Sequence, residues 1–146
     1  MERTFIIENA RERARLVKLV NRLTDDELSQ VCYTEGWTIA VVLAHLAFWD
    51  QRRIVMLRKW KQKGVTPSPS DDDVLNDSLL PFLLAISHRQ APNLAVSTAE
   101  ALDRELEALS PDLINTIEKL GDRHALNRGI HRKMHLDEIE AFLYKS

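Results

Sequence analysis

A single cysteine, Cys32, occurs in the 146 residues of this chain. No internal disulfide can form, and a reducing cytoplasm is the expected setting, although a bridge to another chain stays open. Glycine and proline are also scarce, at 4 and 5 residues. So few turn signals argue against many short strands and for long helices. No apolar run approaches the roughly 20 residues needed to span a bilayer. Met1 to Ala10 mixes charges with apolar residues and lacks the apolar centre of a secretion signal. Net charge is −2 and the pI is near 6.2. That balance provides no basic field to hold a nucleic-acid backbone. The expected partner is a small molecule rather than a nucleic acid or a membrane.

What is present fits a folded domain. Hydrophobic residues make up 45% and charged residues 29%, outside the range of disordered chains. The length suits one domain over residues 1–146, which would bury about two-thirds of its unfolded surface.

The apolar spacing reads as helices throughout, with no strand. Phe5, Ile6, Ala10, Val17 and Val20 define a first helix over 4–23. Arg11, Glu12, Arg15 and Lys18 are expected on its solvated face. Thr24 and Glu27 are spaced as a capping box for a short turn of helix. Thr38 is placed to cap a long second helix, Ile39 to Lys63, stopped by Gly64. Its basic end suits the helix dipole and needs no nucleic acid to explain it.

Residues 65–97 read as a long connection. Asp71–Asp73 can cap a helix from about Val74 to Ser87, with Pro81 a potential kink; a shorter helix from Ser78 is the alternative. Pro92 and Asn93 are expected to break the chain again. Ser97 and Glu100 match a capping box for a third main helix ending near Leu109. Ser110-Pro111 starts another short helix, running to Leu120 and Gly121. A loop through Arg123–Leu126 then leads to a last helix, Asn127 to Tyr144.

Five histidines are present. His131 and His135 are four apart on the last helix, so both lie on one face one turn apart. Two imidazoles at that spacing can share a metal ion, although residue 132 is Arg and no metalloprotease glutamate follows His131. Ile139 and Phe142 continue the same face. His45 lies between Val41 and Trp49 on the second helix. All three histidines should therefore point inward. Buried imidazoles need partners for their ring nitrogens. Spacing and pattern leave two readings open, a shared metal ion or separate structural roles.

Gly36-Trp37-Thr38-Ile39-Ala40-Val41-Val42-Leu43-Ala44-His45-Leu46 resembles the opening of helix two in the DinB/YfiT-like superfamily. His131-Arg132-Lys133-Met134-His135-Leu136-Asp137-Glu138-Ile139 is similar to the family's His-x3-His on the last helix. Asp73-Val74-Leu75-Asn76 is similar to a softer feature before the third bundle helix. Order and spacing agree over nearly the whole chain. The resemblance implies an all-α fold, a four-helix bundle with a long crossing connection between helices two and three. It implies His45, His131 and His135 as ligands of a divalent metal, nickel or zinc, at one end of the bundle above a pocket. It further implies transferase, isomerase or hydrolase chemistry with a low-molecular-weight thiol cosubstrate, and often a homodimer.

Three histidine ligands leave a coordination position open. Water there is acidified towards a pKa of roughly 7 in favourable zinc sites, and a thiol there becomes a thiolate nucleophile. The expected function is metal-dependent activation of a thiol or water for attack on a small electrophile; the alternative is a non-catalytic protein that sequesters a small molecule in the same cavity. No general base stands out. Asp50, Asp137 and Glu138 are candidates to support the ligands, with exposed helix positions the plainer expectation. Trp37 and Trp49 are expected in the core, with the pocket wall as the alternative; His88 and His124 on the surface, with His124 within reach of the site as the alternative; and Cys32 as a packed free thiol rather than a sulfur ligand. The run Leu79, Leu80, Phe82, Leu83, Leu84 has more apolar residues than one helix face needs, as either a partner surface or burial would explain.

Overall fold

Seven helices, four of them opened by a side-chain cap, make up a computed structural model that describes residues 3–33 and 35–144. The first two residues of the stretch read for a secretion signal lie outside the described residues. The helices are α1 (Thr4–Arg22), α2 (Asp25–Leu28), α3 (Ile39–Lys63), α4 (Asp72–Leu84), α5 (Gln90–Glu107), α6 (Pro111–Glu118) and α7 (Gly129–Leu143). The fold is all-α. Among the described residues the only β pairing is an isolated bridge between Val31 and Thr38. No described helix is long and apolar enough to cross a membrane.

The caps act as their side chains require. Thr24 accepts from the Glu27 amide while the Glu27 carboxylate accepts from the Thr24 amide, closing the capping box. Thr38 accepts from the Val41 amide at 3.1 Å and starts α3. Gly64 ends α3 at φ 95°, a conformation a side chain resists. Asp71 caps α4, and Ser110 with Pro111 starts α6. Pro81 lies within α4 without ending it. Its missing N–H leaves a carbonyl free on an exposed stretch, where water can take it.

The third main helix departs from the sequence reading. It starts at Gln90 rather than Ser97, and Pro92 sits inside its first turn. Proline is tolerated there because the first amides of a helix have no partner within it. Ser97 does not cap; its hydroxyl donates back to the Leu94 carbonyl at 3.3 Å. Buried Ala91, Ala95 and Ala99 at four-residue spacing explain the longer helix. These small residues extend the stripe that packs along α3, the most extensive helix contact in the fold. The connection from α3 to α5 is correspondingly shorter, and it contains α4.

The four long helices touch in a ring: α1 with α5, α5 with α3, α3 with α7, and α7 with α1; α4 lies on α3. The apolar interior has two parts. One gathers Leu16, Leu19, Leu43, Leu46, Leu136 and Ile139. The other gathers Phe5, Ile54, Leu57, Leu102, Leu106 and Ile117. Fully burying one such side chain contributes about 1.5–3 kcal/mol. Between the two parts each long helix carries buried polar residues: Asn9 and Glu12 on α1, Asp50 on α3, Asp103 on α5, Arg132 on α7. Glu12 was expected on a solvated face but is 4% exposed, held by Arg11 and Arg15.

Arg132 joins this layer. Its guanidinium donates twice to Asp103 at 2.9 Å, to Asp50 at 3.1 Å and to the Asn9 carbonyl at 3.1 Å. Arg128 adds a 3.0 Å contact to Asp50, and Arg13 a 2.6 Å contact to Asp103. Charges this deep are tolerable only when paired and hydrogen-bonded; here both Nη atoms of Arg132 are, and only its Nε is left without a partner. Gly129 lets α7 approach α1 here. A Cβ on it would stand 3.0 Å from the Glu8 carbonyl oxygen.

The apolar run of α4 divides. Leu83 is buried and Leu79 and Leu80 pack on the core, whereas Phe82 and Leu84 stay exposed.

Candidate metal centre

α3 and α7 bring the three histidines together. His45 comes one turn after Val41 on the inner face of α3, and His131 and His135 occupy successive turns of α7. The Nε2 atoms of His45 and His131 are 3.3 Å apart, and those of His135 and His131 are 3.1 Å apart. One ring nitrogen from each lies within 4.8 Å of the other two, so the group could hold a metal ion. His45 and His135 are buried and His131 is half-buried.

Burial decides the charge of these rings. Desolvation and the charges of His135 and Arg128 bring His45 down to about 3. Desolvation alone brings His135 down to about 4. His131 is pushed down furthest, by desolvation and then by Arg128. At neutral pH all three are neutral imidazoles, the form that coordinates a cation.

Their other nitrogens differ. His135 Nδ1 faces the Tyr33 hydroxyl at 3.3 Å, and Tyr33 in turn donates to Glu138. A hydrogen on His135 Nδ1 suits that chain and leaves a lone pair on Nε2. Burial raises the Glu138 carboxyl, and its side chain stays partly open to the cleft. His45 Nδ1 is buried without a partner. His131 Nδ1 receives a donor from Arg128 at 3.3 Å. Two converging lone pairs and a third within reach are a donor set that fits a divalent cation. Without an ion, a hydrogen on His131 Nε2 can be shared between the other two Nε2 atoms, at 3.3 and 3.1 Å.

The histidines form the floor of a cleft of about 730 Å³, large enough for a small organic ligand. Trp49 is buried and Trp37 packs on the core, as expected, and both also line this cleft. Trp49 donates to Asn76 of α4 at 2.9 Å. His124, expected on the surface, also lines the cleft and is half-buried. His88 is exposed as expected. Cys32 is half-buried, its thiol pushed up to about 11 by desolvation, so it is an inert thiol rather than a nucleophile.

Of the three candidate carboxylates, Asp137 is exposed and pairs with Arg15 and Lys133. Asp50 is 2% exposed, contrary to the expected surface position. It acts on the site through Arg128, which stands between it and His131. Sequence reading missed Tyr33, Arg128, Arg132 and Asp103. Tyr33 arrives by a small antiparallel pairing, with Cys32 N–H donating to the Trp37 carbonyl at 2.9 Å and Ile39 N–H to Gln30 at 3.0 Å. The buried ions did carry a signal: Asp50 falls midway between Leu46 and Ile54, and Arg132 one turn before Leu136. A charge inside an apolar register predicts a buried partner.

A family model for the DinB superfamily matches residues 8–142. Comparison with curated proteins and with solved structures found no match. The match spans the hairpin-like turn, the α3 opening and both α7 histidines, and the chain therefore belongs to the DinB superfamily.

Proposed function

We propose that the protein is a metal-dependent enzyme in which His45, His131 and His135 hold a divalent ion and a thiol or water attacks a small electrophile in the cleft. The observation that carries this reading is the convergence of three neutral Nε2 atoms on the floor of an open cleft. The ion, nickel or zinc, would supply an electrophilic position that favours the deprotonated form of the nucleophile. The chain's residues do the rest. Trp37 and Trp49 offer apolar walls for the body of the substrate. Tyr33 and Glu138 orient His135, and the raised Glu138 carboxyl is the cleft group placed to exchange a proton. A low-molecular-weight thiol as cosubstrate, a cytoplasmic setting, a single domain and a homodimer complete the reading. The exposed Phe82 and Leu84 of α4 support the last of these.

Metal analysis tests the centre. Protein purified without nickel affinity or chelator should carry one divalent ion per chain, and His45→Ala should lose it. Turnover of an aryl halide with several small thiols tests the activity, and should vanish with the metal. A loaded protein that binds such compounds tightly without ever turning over would overturn the enzymatic reading.

A further inference from the structure

Arg53 and Arg128 line the cleft beside the histidines; of its acids, Glu35, Asp72, Asp73 and Asp77 are exposed, Asp122 pairs with Arg53, and Glu138 stands beside His135. Arg128 has a 4% exposed side chain and Arg53 an 11% exposed one. Arg53 lies two turns beyond His45, in line with Trp49. Its Nη2 donates to Asp122 at 3.1 Å, but its Nε is buried without a partner. One exposed carboxylate therefore leaves this guanidinium incompletely satisfied. Arg128 gives its Nε to Asp50, and its Nη2 has only the ring nitrogen of His131. Asp50 must also serve Arg132. The connected arginines 13, 128 and 132 face only two carboxylates, Asp50 and Asp103. Arg128 is the end of this connected set towards the cleft. Arg53 and Arg128 also repel each other, one of the causes that hold Arg128 below its ordinary value after desolvation.

We propose that the Arg53 and Arg128 end of the cleft binds the carboxylate of a small monoanionic substrate. This rests on the reading above, in which the other end of that substrate reacts over the histidines. A rotation of the Arg53 guanidinium that frees Nε–H would give the planar fork that pairs with a carboxylate through two hydrogen bonds. Larger anions are disfavoured by Glu35, Asp72, Asp73 and Asp77, exposed acids that also line the cleft. Water screens these acids more than it screens the buried arginines, so they repel a polyanion without cancelling the inner field.

The test is a titration of the protein as purified with propionate and benzoate, beside their uncharged amides. Binding is followed by calorimetry and by the Nε–H resonance of Arg53 in labelled protein. At least one acid should bind and shift that resonance, and the amides should bind at least tenfold more weakly. Arg53→Gln should weaken the acid about tenfold or more, and Arg53→Lys should restore part of the loss. Metal content is measured in every variant. No binding by either acid, equal binding of the amides, or an affinity unchanged in Arg53→Gln would overturn the subsite; the last would mean that the anion sits on the metal alone. Arg53-dependent binding by protein that holds no metal would sink the metal reading and leave the subsite standing.

Discussion

Arg128 presents Nη2 to His131 Nδ1 at 3.3 Å, and a guanidinium can only donate. In that arrangement the hydrogen of the neutral His131 ring resides on Nε2, the atom that faces the other two histidines. Holding a cation there requires the hydrogen to move to Nδ1 and Arg128 to draw back. Metal-ligating histidines ordinarily give that hydrogen to a carboxylate or carbonyl, which is the role Tyr33 and Glu138 approximate at His135.

Arg128→Gln is accordingly expected to tighten divalent metal binding about tenfold, worth about 1.4 kcal/mol. The amide oxygen can accept from Nδ1, and one positive charge near the ion is removed. Stability should fall by about 2–3 kcal/mol, because Asp50 loses a buried partner while keeping Arg132. Calorimetric metal titration and urea unfolding check the two effects. Weaker metal binding in the variant would show that Arg128 supports the centre rather than competing with it.

Acid should destabilise the metal-free protein within a defined window. The three imidazoles have folded values below the unfolded value of 6.5, at about 3 for His45, about 4 for His135 and lower than ordinary for His131. Their contribution is complete above the unfolded value. It is lost as pH falls from about 6.5 towards the folded values, because the unfolded chain then binds the protons. Glu138, raised by burial, works in the opposite direction as one group against three. The slope per histidine is at most about 1.4 kcal/mol per pH unit. Urea midpoints between pH 7.5 and 4.5 should fall steeply for the wild type and less steeply for a variant with all three histidines changed to Gln. Equal slopes would count against neutral burial of these rings.

Gly129→Ala opposes two effects of known size. Alanine favours a helix interior over glycine by about 1 kcal/mol, and less at the first position of α7, where Gly129 stands. The added methyl, however, meets the Glu8 backbone oxygen at 3.0 Å and Asn127 Oδ1 at 3.2 Å, and the first of these cannot swing aside. Overpacking typically costs about 1–3 kcal/mol. A net loss of about 1 kcal/mol is expected in urea unfolding; a gain would mean that α7 shifts freely away from α1.

Much of the architecture was legible because it is locally encoded. Thr24, Thr38, Asp71 and Ser110 begin helices through their own side chains, and each was read from its neighbours. The histidines were legible because Val41, Trp49, Ile139 and Phe142 set their face. The start of α5 was not, since Pro92 and the Ser97–Glu100 pair gave local signals that packing of the alanine stripe on α3 overrode. Tyr33, and the partners of the buried ions, were illegible for a different reason. Their partners are remote in sequence, as with Arg132 and Asp103 or Tyr33 and Glu138, and no spacing rule links them.

The layer of buried ions between the two apolar parts also acts as a ruler. Leucines on facing helices can exchange neighbours if one helix slides by a turn. Arg132 cannot, because a slide of about 5.4 Å along the axis would part it from Asp50 or Asp103 and strand charges away from water. The layer fixes the axial setting of α7 against α3 and α5. His45 and the α7 histidines sit directly beside it, so their separation is gauged by the contacts of Arg128 and Arg132 with Asp50.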